Sequence, residues 1–267
     1  MKKNIHLFVV LFSLLSASLS GCLGGEDSDS GGYSGPIDLI VYYDTTSGMI
    51  ETTANEDTQQ SQTTGVEISF DYADTTSDDG NIVKITLNPD DGSTPIEADP
   101  SDNAVITYTW LTHGIFDVEM TAEDEAGNTR STTVDIRVDM NIVWTDTNTN
   151  SASMTIDAEP DCEDGLPLPD RITITSKVEN PGGLFGTGAN SEVSWTLQNP
   201  EGTEIASSAG TIPGGGEETW DYTTRDIVSG NWGLNVEVTE GDPVNVENDV
   251  TIAYKEGLEG PVNPRQG

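Results

Sequence analysis

Carboxylates are the reactive groups this sequence offers most freely, and the question is which of them could act together. Asp74, Asp78, Asp79 and Asn81 fall in one short polar stretch, with Asp90 and Asp91 following. Oxygen donors gathered in a turn are what calcium takes, six to eight at a time, so this set is the candidate calcium site. Asp161, Glu163 and Asp164 form a second candidate. Neither has the ligand spacing and closing glutamate of an EF-hand loop. Zinc is excluded, because two histidines and two cysteines cannot supply a properly spaced ligand set. His113, in Thr112-His113-Gly114, reads as a solvent-facing turn residue and by itself builds no catalytic triad. Paired carboxylates across a cleft would suit glycoside hydrolysis, but modules of this size rarely enclose such a cleft. The glycine-rich run from Gly182 to Gly188 opens no helix and has no following lysine, so it does not read as a phosphate cradle. No enzyme is expected.

The two cysteines, Cys22 and Cys162, stand in different surroundings. Before Cys22 come a basic Lys2-Lys3, an apolar run from Ile5 to Leu15, and the small-residue stretch Ser16 to Gly21. That is the anatomy of a secretory signal, and it falls short of the roughly 20 apolar residues a membrane span needs. Leu19-Ser20-Gly21-Cys22 resembles the lipobox of prokaryotic lipoproteins. The resemblance implies that residues 1–21 are removed and that Cys22 carries lipid, attaching the chain to the outer, extracytoplasmic face of the cytoplasmic membrane. Ordinary cleavage with Cys22 left free is the other reading. Residues 22–36, rich in Gly, Ser, Asp and Glu, can bury no face and read as a flexible acidic linker. Cys162 has no partner if Cys22 is acylated, and reads as a semi-buried structural thiol or an intermolecular bridge. Without the lipid, a Cys22–Cys162 bridge stays open.

The chain carries 47 acids against 10 bases, a formal charge of -37 over 267 residues. Such a surface repels nucleic acid and anionic membrane. It suits divalent cations, basic partners or a salty medium, where screening relieves self-repulsion.

Beyond the linker the apolar residues alternate with a period of two, not 3.6. Phe116, Val118, Met120 and Ala122 point one way, while Asp117, Glu119, Thr121 and Glu123 point the other. That is a strand with one face in a core and an acidic face in water. Val66, Ile68, Phe70 and Tyr72 repeat the habit, as do Val134, Ile136 and Val138. Glu125-Ala126-Gly127-Asn128 between two of these runs predicts a hairpin turn with Gly127 at positive φ. Later runs, Ile172 to Val178, Val193 to Leu197, Trp232 to Val238 and Val250 to Tyr254, are each bounded by Gly, Pro or Asn. The fold class is all-β, as two tandem sandwiches over 37–139 and 140–256, followed by a disordered tail at 257–267. Four of the five tryptophans lie in or beside strands and read as core; only Trp220 looks loosely placed for a sugar platform.

Gly114-x-Phe116-x-Val118-x-Met120-x-Ala122-x-Asp124-x-x-Gly127, with the turn Ser77-Asp78-Asp79-Gly80, resembles the closing strand and turn of a PKD domain. Where that family has a Trp-containing segment, Ile85 to Gly92 stands instead, and a Thr- and Gln-rich loop lengthens the entry before Val66. The second block is similar to CARDB-like sandwiches through Val178-Glu179-Asn180-Pro181-Gly182 and Gly230-Asn231-Trp232-Gly233-Leu234-Asn235-Val236. These resemblances imply immunoglobulin-like modules used for spacing, adhesion or envelope assembly. They fit partners among envelope proteins or surface glycans, and membrane contact only through the lipid on Cys22. A calcium- or glycan-binding module, or an accessory subunit of a secreted enzyme or transport system, is the alternative.

Overall fold

The computed structural model describes residues 35–162, 165–182 and 188–266. Cys22, the signal and nearly all of the linker lie outside the described residues. From Gly35 onward the chain forms one compact unit. All of its regular structure is strand, and no described helix is long and apolar enough to cross a membrane.

The strands are β1 (Ile37–Asp38), β2 (Ser47–Asn55), β3 (Gln60–Thr64), β4 (Val66–Asp71), β5 (Thr76–Ser77), β6 (Ile82–Asn88), β7 (Ile96–Ala98), β8 (Val105–Trp110) and β9 (Gly114–Asp124). They continue as β10 (Thr129–Thr149), β11 (Ser151–Asp157), β12 (Arg171–Glu179), β13 (Ser191–Gln198), β14 (Glu204–Ile212), β15 (Glu217–Thr224), β16 (Asn231–Glu240) and β17 (Val244–Ala253). Two cores result. In the first, β4 and β8 pack Val66, Ile68, Phe70, Ile106 and Trp110 against Ile85, Leu87, Phe116, Val118, Met120 and Val134 from β6, β9 and β10. Trp110 lies fully buried among the rings of Phe70, Tyr108 and Phe116, and its Nε1 donates to the Pro89 carbonyl at 3.2 Å. In the second, the sheet β11-β16-β13-β14 faces β15-β12-β17-β10 across Trp195, Trp232, Ile174, Val236 and Val250. The turn predicted at 125–128 forms, with Gly127 at φ 81°. The Asp124 carboxylate accepts from the backbone N–H groups of Ala126 and Asn128 beneath it, at 3.0 and 2.9 Å.

The boundary expected between residues 139 and 140 falls inside a strand. β10 runs unbroken for 21 residues. Val134, Ile136 and Val138 fill the first core; Ile142 and Trp144 belong to the second, and Met140 touches both. The inward side chains keep one parity from Val134 to Trp144, and the register shifts only beyond, between Asp146 and Thr149, so one strand serves two sandwiches and no linker is needed. One edge of β10 pairs first with β9 (residues 129–138) and then with β17 (140–149). The other edge takes β2, in parallel, over residues 137–145.

That β2 strand corrects a second expectation. The Thr- and Gln-rich stretch before Val66 is a hairpin, β2 with β3, rather than a loop. Threonine suits a pleated surface, and two side chains tie the hairpin down, since Ala54 packs against the second core and Ile50 is wholly buried in the first. Burying such a side chain is worth about 1.5–3 kcal/mol. Gly48 lets β2 pass close to β4, because a Cβ there would stand 2.6 Å from Val66. The described part of the tail, 257–266, is also ordered, against expectation. Tyr43 and Asn263 exchange backbone hydrogen bonds, and Thr46 donates to the Gly260 carbonyl at 2.7 Å. Arg265 lies 5.1 Å over the Tyr42 ring and reaches the Asp71 and Asp74 carboxylates. A polar tail without a core of its own thus gains order from backbone and ion-pair partners on the first sandwich.

Candidate functional site

The polar groups that come together most completely lie where the two sandwiches meet. His113 precedes β9 in the first sandwich and is buried, not solvent-facing as its turn sequence predicts. Its Nε2 is 3.0 Å from the carbonyl of Asp157 at the end of β11. A carbonyl only accepts, so Nε2 carries the proton and Nδ1 is left as an acceptor. The Tyr254 hydroxyl, just past β17, sits 2.8 Å from Nδ1 and donates to it. The Tyr254 backbone N–H in turn donates to Asp139 Oδ1 at 2.8 Å. Arg137 pairs with Asp139 and, through Nε at 3.1 Å, with Glu259 of the tail. The backbone of Asp161 closes the group by donating to the His113 carbonyl at 3.2 Å.

Electrostatics keep this junction neutral at its centre. Burial pushes the His113 pKa below its usual value, and the carboxylates of Asp157, Asp161 and Asp139 only partly oppose that. Burial likewise raises Tyr254 and the Cys162 thiol. Cys162 packs into the first core, and its Sγ donates to the Leu166 carbonyl at 3.2 Å. A thiol raised and an imidazole lowered in pKa are the reverse of the thiolate–imidazolium pair that activates a cysteine nucleophile. The chemistry this arrangement supports is cohesion.

The predicted calcium ligands are placed but not gathered. Asp74 accepts from the Tyr42 hydroxyl at 3.0 Å and meets Arg265 at 3.2 Å. Asp78 contributes its backbone N–H to the Pro36 carbonyl at 2.9 Å. Asp79 is 3.4 Å from the Asn128 amide, and Asn81 donates to Glu125 at 3.0 Å. Asp90 accepts from the backbone of Asp117 at 2.9 Å, and Asp91 takes the Tyr108 hydroxyl. Among the described residues no three His, Cys, Asp or Glu side chains converge to hold a metal ion. Asp161 sits at the junction, while Glu163 and Asp164 lie outside the described residues.

The tryptophans are interior. Trp110, Trp144, Trp195 and Trp232 are buried; Trp220 is half-buried against the second core and stacked on Tyr222 at 5.7 Å. Asn180 has a larger role than its place in a strand-exit pattern suggested. Fully buried, its Nδ2 lies 2.9 Å from the Ala189 carbonyl, 2.9 Å from Ser191 Oγ and 3.1 Å from the Ile212 carbonyl, while its Oδ1 accepts from Gly182 at 3.0 Å. One amide thereby ties several loops at one end of the second sandwich. The His113–Tyr254 contact spans 141 positions, and no local pattern could have announced it.

A family pattern described as the PKD domain matches residues 51–138, which takes in most of the first sandwich. No curated protein matches the chain. Among solved structures, a carbohydrate-binding module of the β-sandwich superfamily is 13% identical, covering 83% of this chain and 98% of its own, at a TM-score of 0.31. A Clostridium perfringens ZmpB fragment, with a module bound to GlcNAc, is 12% identical over 82% of this chain and 49% of its own, at 0.26. The SGBP-B protein of the Bacteroides ovatus mixed-linkage glucan utilization locus, bound to a heptasaccharide, is 15% identical over 78% and 52%, at 0.20. At these scores the likenesses add nothing to the architecture described above.

Proposed function

We propose that this chain is a non-catalytic surface protein, lipid-anchored through Cys22, whose two immunoglobulin-like sandwiches act as one stiff spacer that holds contact surfaces away from the membrane. The second sandwich serves as a CARDB-like continuation of the PKD-like first. The observation that carries the reading is the join: β10 crosses both cores, β2 lies along it, and the buried His113–Tyr254 contact and the tail tie the ends together. A spacer needs resistance to bending, and a shared strand provides it where a linker would not. The anchoring half of the reading rests on the Leu19-Ser20-Gly21-Cys22 sequence. The intact mass of membrane-fraction protein tests it, with Cys22→Ser as control. A mass matching cleavage before Cys22 plus lipid, lost in the control, supports the anchor; an unlipidated mass refutes it.

A further inference from the structure

We propose that the open edge of β3 accepts an extended peptide from a partner protein, adding a strand to the long sheet, and that this peptide is neutral at its centre and basic at its ends. This goes beyond the spacer reading and does not depend on the anchor at Cys22.

β3 pairs only with β2, so among the described residues its other edge has no partner. An unpaired edge offers a row of backbone N–H and C=O groups, which natural proteins usually guard with charge, proline, bulges or brevity. Elsewhere in this sheet the guards are present. The edge strand β15 carries Glu217, Glu218 and Asp221, and β7 is only 3 residues long. β3 reads Gln-Ser-Gln-Thr-Thr, without charge, proline or register shift. In a chain with 47 acids this neutral edge stands out.

Packing gives the strand no other duty. All 5 residues of β3 are exposed, on both faces of the sheet, so it covers no core. The edge strand β14 also runs uncharged from Ile205, but it contributes Ile212 to the second core. Beside β3 lies a trough of about 730 Å³ with Thr53, Gln60 and Gln62 on its walls and Val143 and Thr145 on β10. An added strand would stand about 4.8 Å from β3 on the side away from β2 and β10, so its alternate side chains would lie beside those of Gln60 and Gln62 rather than in that trough. Strand addition draws affinity from main-chain hydrogen bonds and selectivity from such side-chain positions.

Charge decides the occupant. Glu51 faces Thr64 at one end of β3, and Glu56 and Asp57 lie in the turn at the other. With a net charge of -37 behind them, a second copy of this chain or any acidic segment is repelled, while flanking lysines are drawn in.

The test uses the intact protein and a synthetic peptide, acetyl-Lys-Thr-Val-Thr-Val-Thr-Lys-amide. Binding should slow hydrogen exchange at Gln60–Thr64, and N-methylation of alternate peptide amides should weaken it at least about tenfold, or 1.4 kcal/mol. Glutamate in place of both lysines should weaken it similarly at low salt. Successive N–H groups of a strand alternate between its two edges. One of Ser61→Pro and Gln62→Pro therefore removes a donor from the open edge and should abolish binding while the melting temperature holds; the other breaks the β2 ladder. Should both variants unfold, the N-methylated peptide still decides. No binding at about 1 mM peptide, binding indifferent to N-methylation, or exchange slowed elsewhere than β3 would overturn the proposal. Dimerisation of the chain alone, lost in the proline variants, would overturn the choice of occupant.

Discussion

Replacing Tyr254 with phenylalanine probes the join between the sandwiches with the smallest available change. The ring stays and fills its site, but the hydroxyl that donates to His113 Nδ1 at 2.8 Å is gone. His113 then keeps a buried acceptor with no donor, since Nε2–H is committed to the Asp157 carbonyl. Leaving a buried polar atom unsatisfied costs about 1–3 kcal/mol. For a body of this size each kcal/mol shifts the melting temperature by roughly 2–4 °C, so a fall of about 2–12 °C is expected. Urea unfolding should remain a single transition, because β10 cannot leave one core without disturbing the other. Protonation supplies a second check. The folded His113 pKa is held below its ordinary value of 6.5 by burial, so on acidification the unfolded chain takes up this proton first. The His113 contribution is therefore complete above pH 6.5 and declines as the pH falls from there toward the folded pKa. In His113→Gln that segment of the pH dependence should vanish. A Tyr254→Phe protein within 0.5 kcal/mol of wild type, or two separated transitions, would refute a join made in this way.

Three further outcomes are expected. Cys162 should react with a disulfide reagent only as fast as the protein opens, because the thiol is buried and its pKa is raised by that burial; rapid stoichiometric labelling of the folded chain would contradict this. Calcium should raise the melting temperature no more than magnesium at equal ionic strength, since no three acidic side chains converge among the described residues; a selective rise, lost in Asp79→Asn, would restore a site there. Asn180→Ala should lower stability by about 1–3 kcal/mol by stranding its buried partners, the Ser191 hydroxyl and the Ile212 carbonyl, with faster hydrogen exchange at Gly215 and Gly216; a change confined to the first sandwich would show the loops are held otherwise.

How far the fold could be read depended on the range of the forces involved. Period-two alternation located β4, β9, β10, β12, β13, β16 and β17 among the seventeen strands, and the inward faces of Phe116, Val118, Ile174 and Trp195, because side-chain direction in a strand is fixed by neighbours one and two positions away. Gly127 announced its turn for the same local reason. The β2–β3 hairpin was legible only as polar chain, since its threonines and glutamines bury almost nothing and just Ile50 and Ala54 reach a core. The candidate ligands Asp74, Asp78, Asp79 and Asn81 looked like a set because they are near in sequence. The fold turned them to different partners, among them Tyr42, Arg265, Asn128 and Glu125.

By itself the sequence determined the strand-rich class, the acidic exterior, the Cys22 motif and which residues could enter a core, all consequences of composition and short-range periodicity. Tertiary structure alone decided that the two cores share β10, that His113 is interior, that the tail returns to the first sandwich, and that among the described residues β3 keeps an open edge. Each of these depends on partners far apart along the chain, such as residues 113 and 254 or 43 and 263. Their meeting is set by sheet order and register, which neither composition nor local alternation specifies.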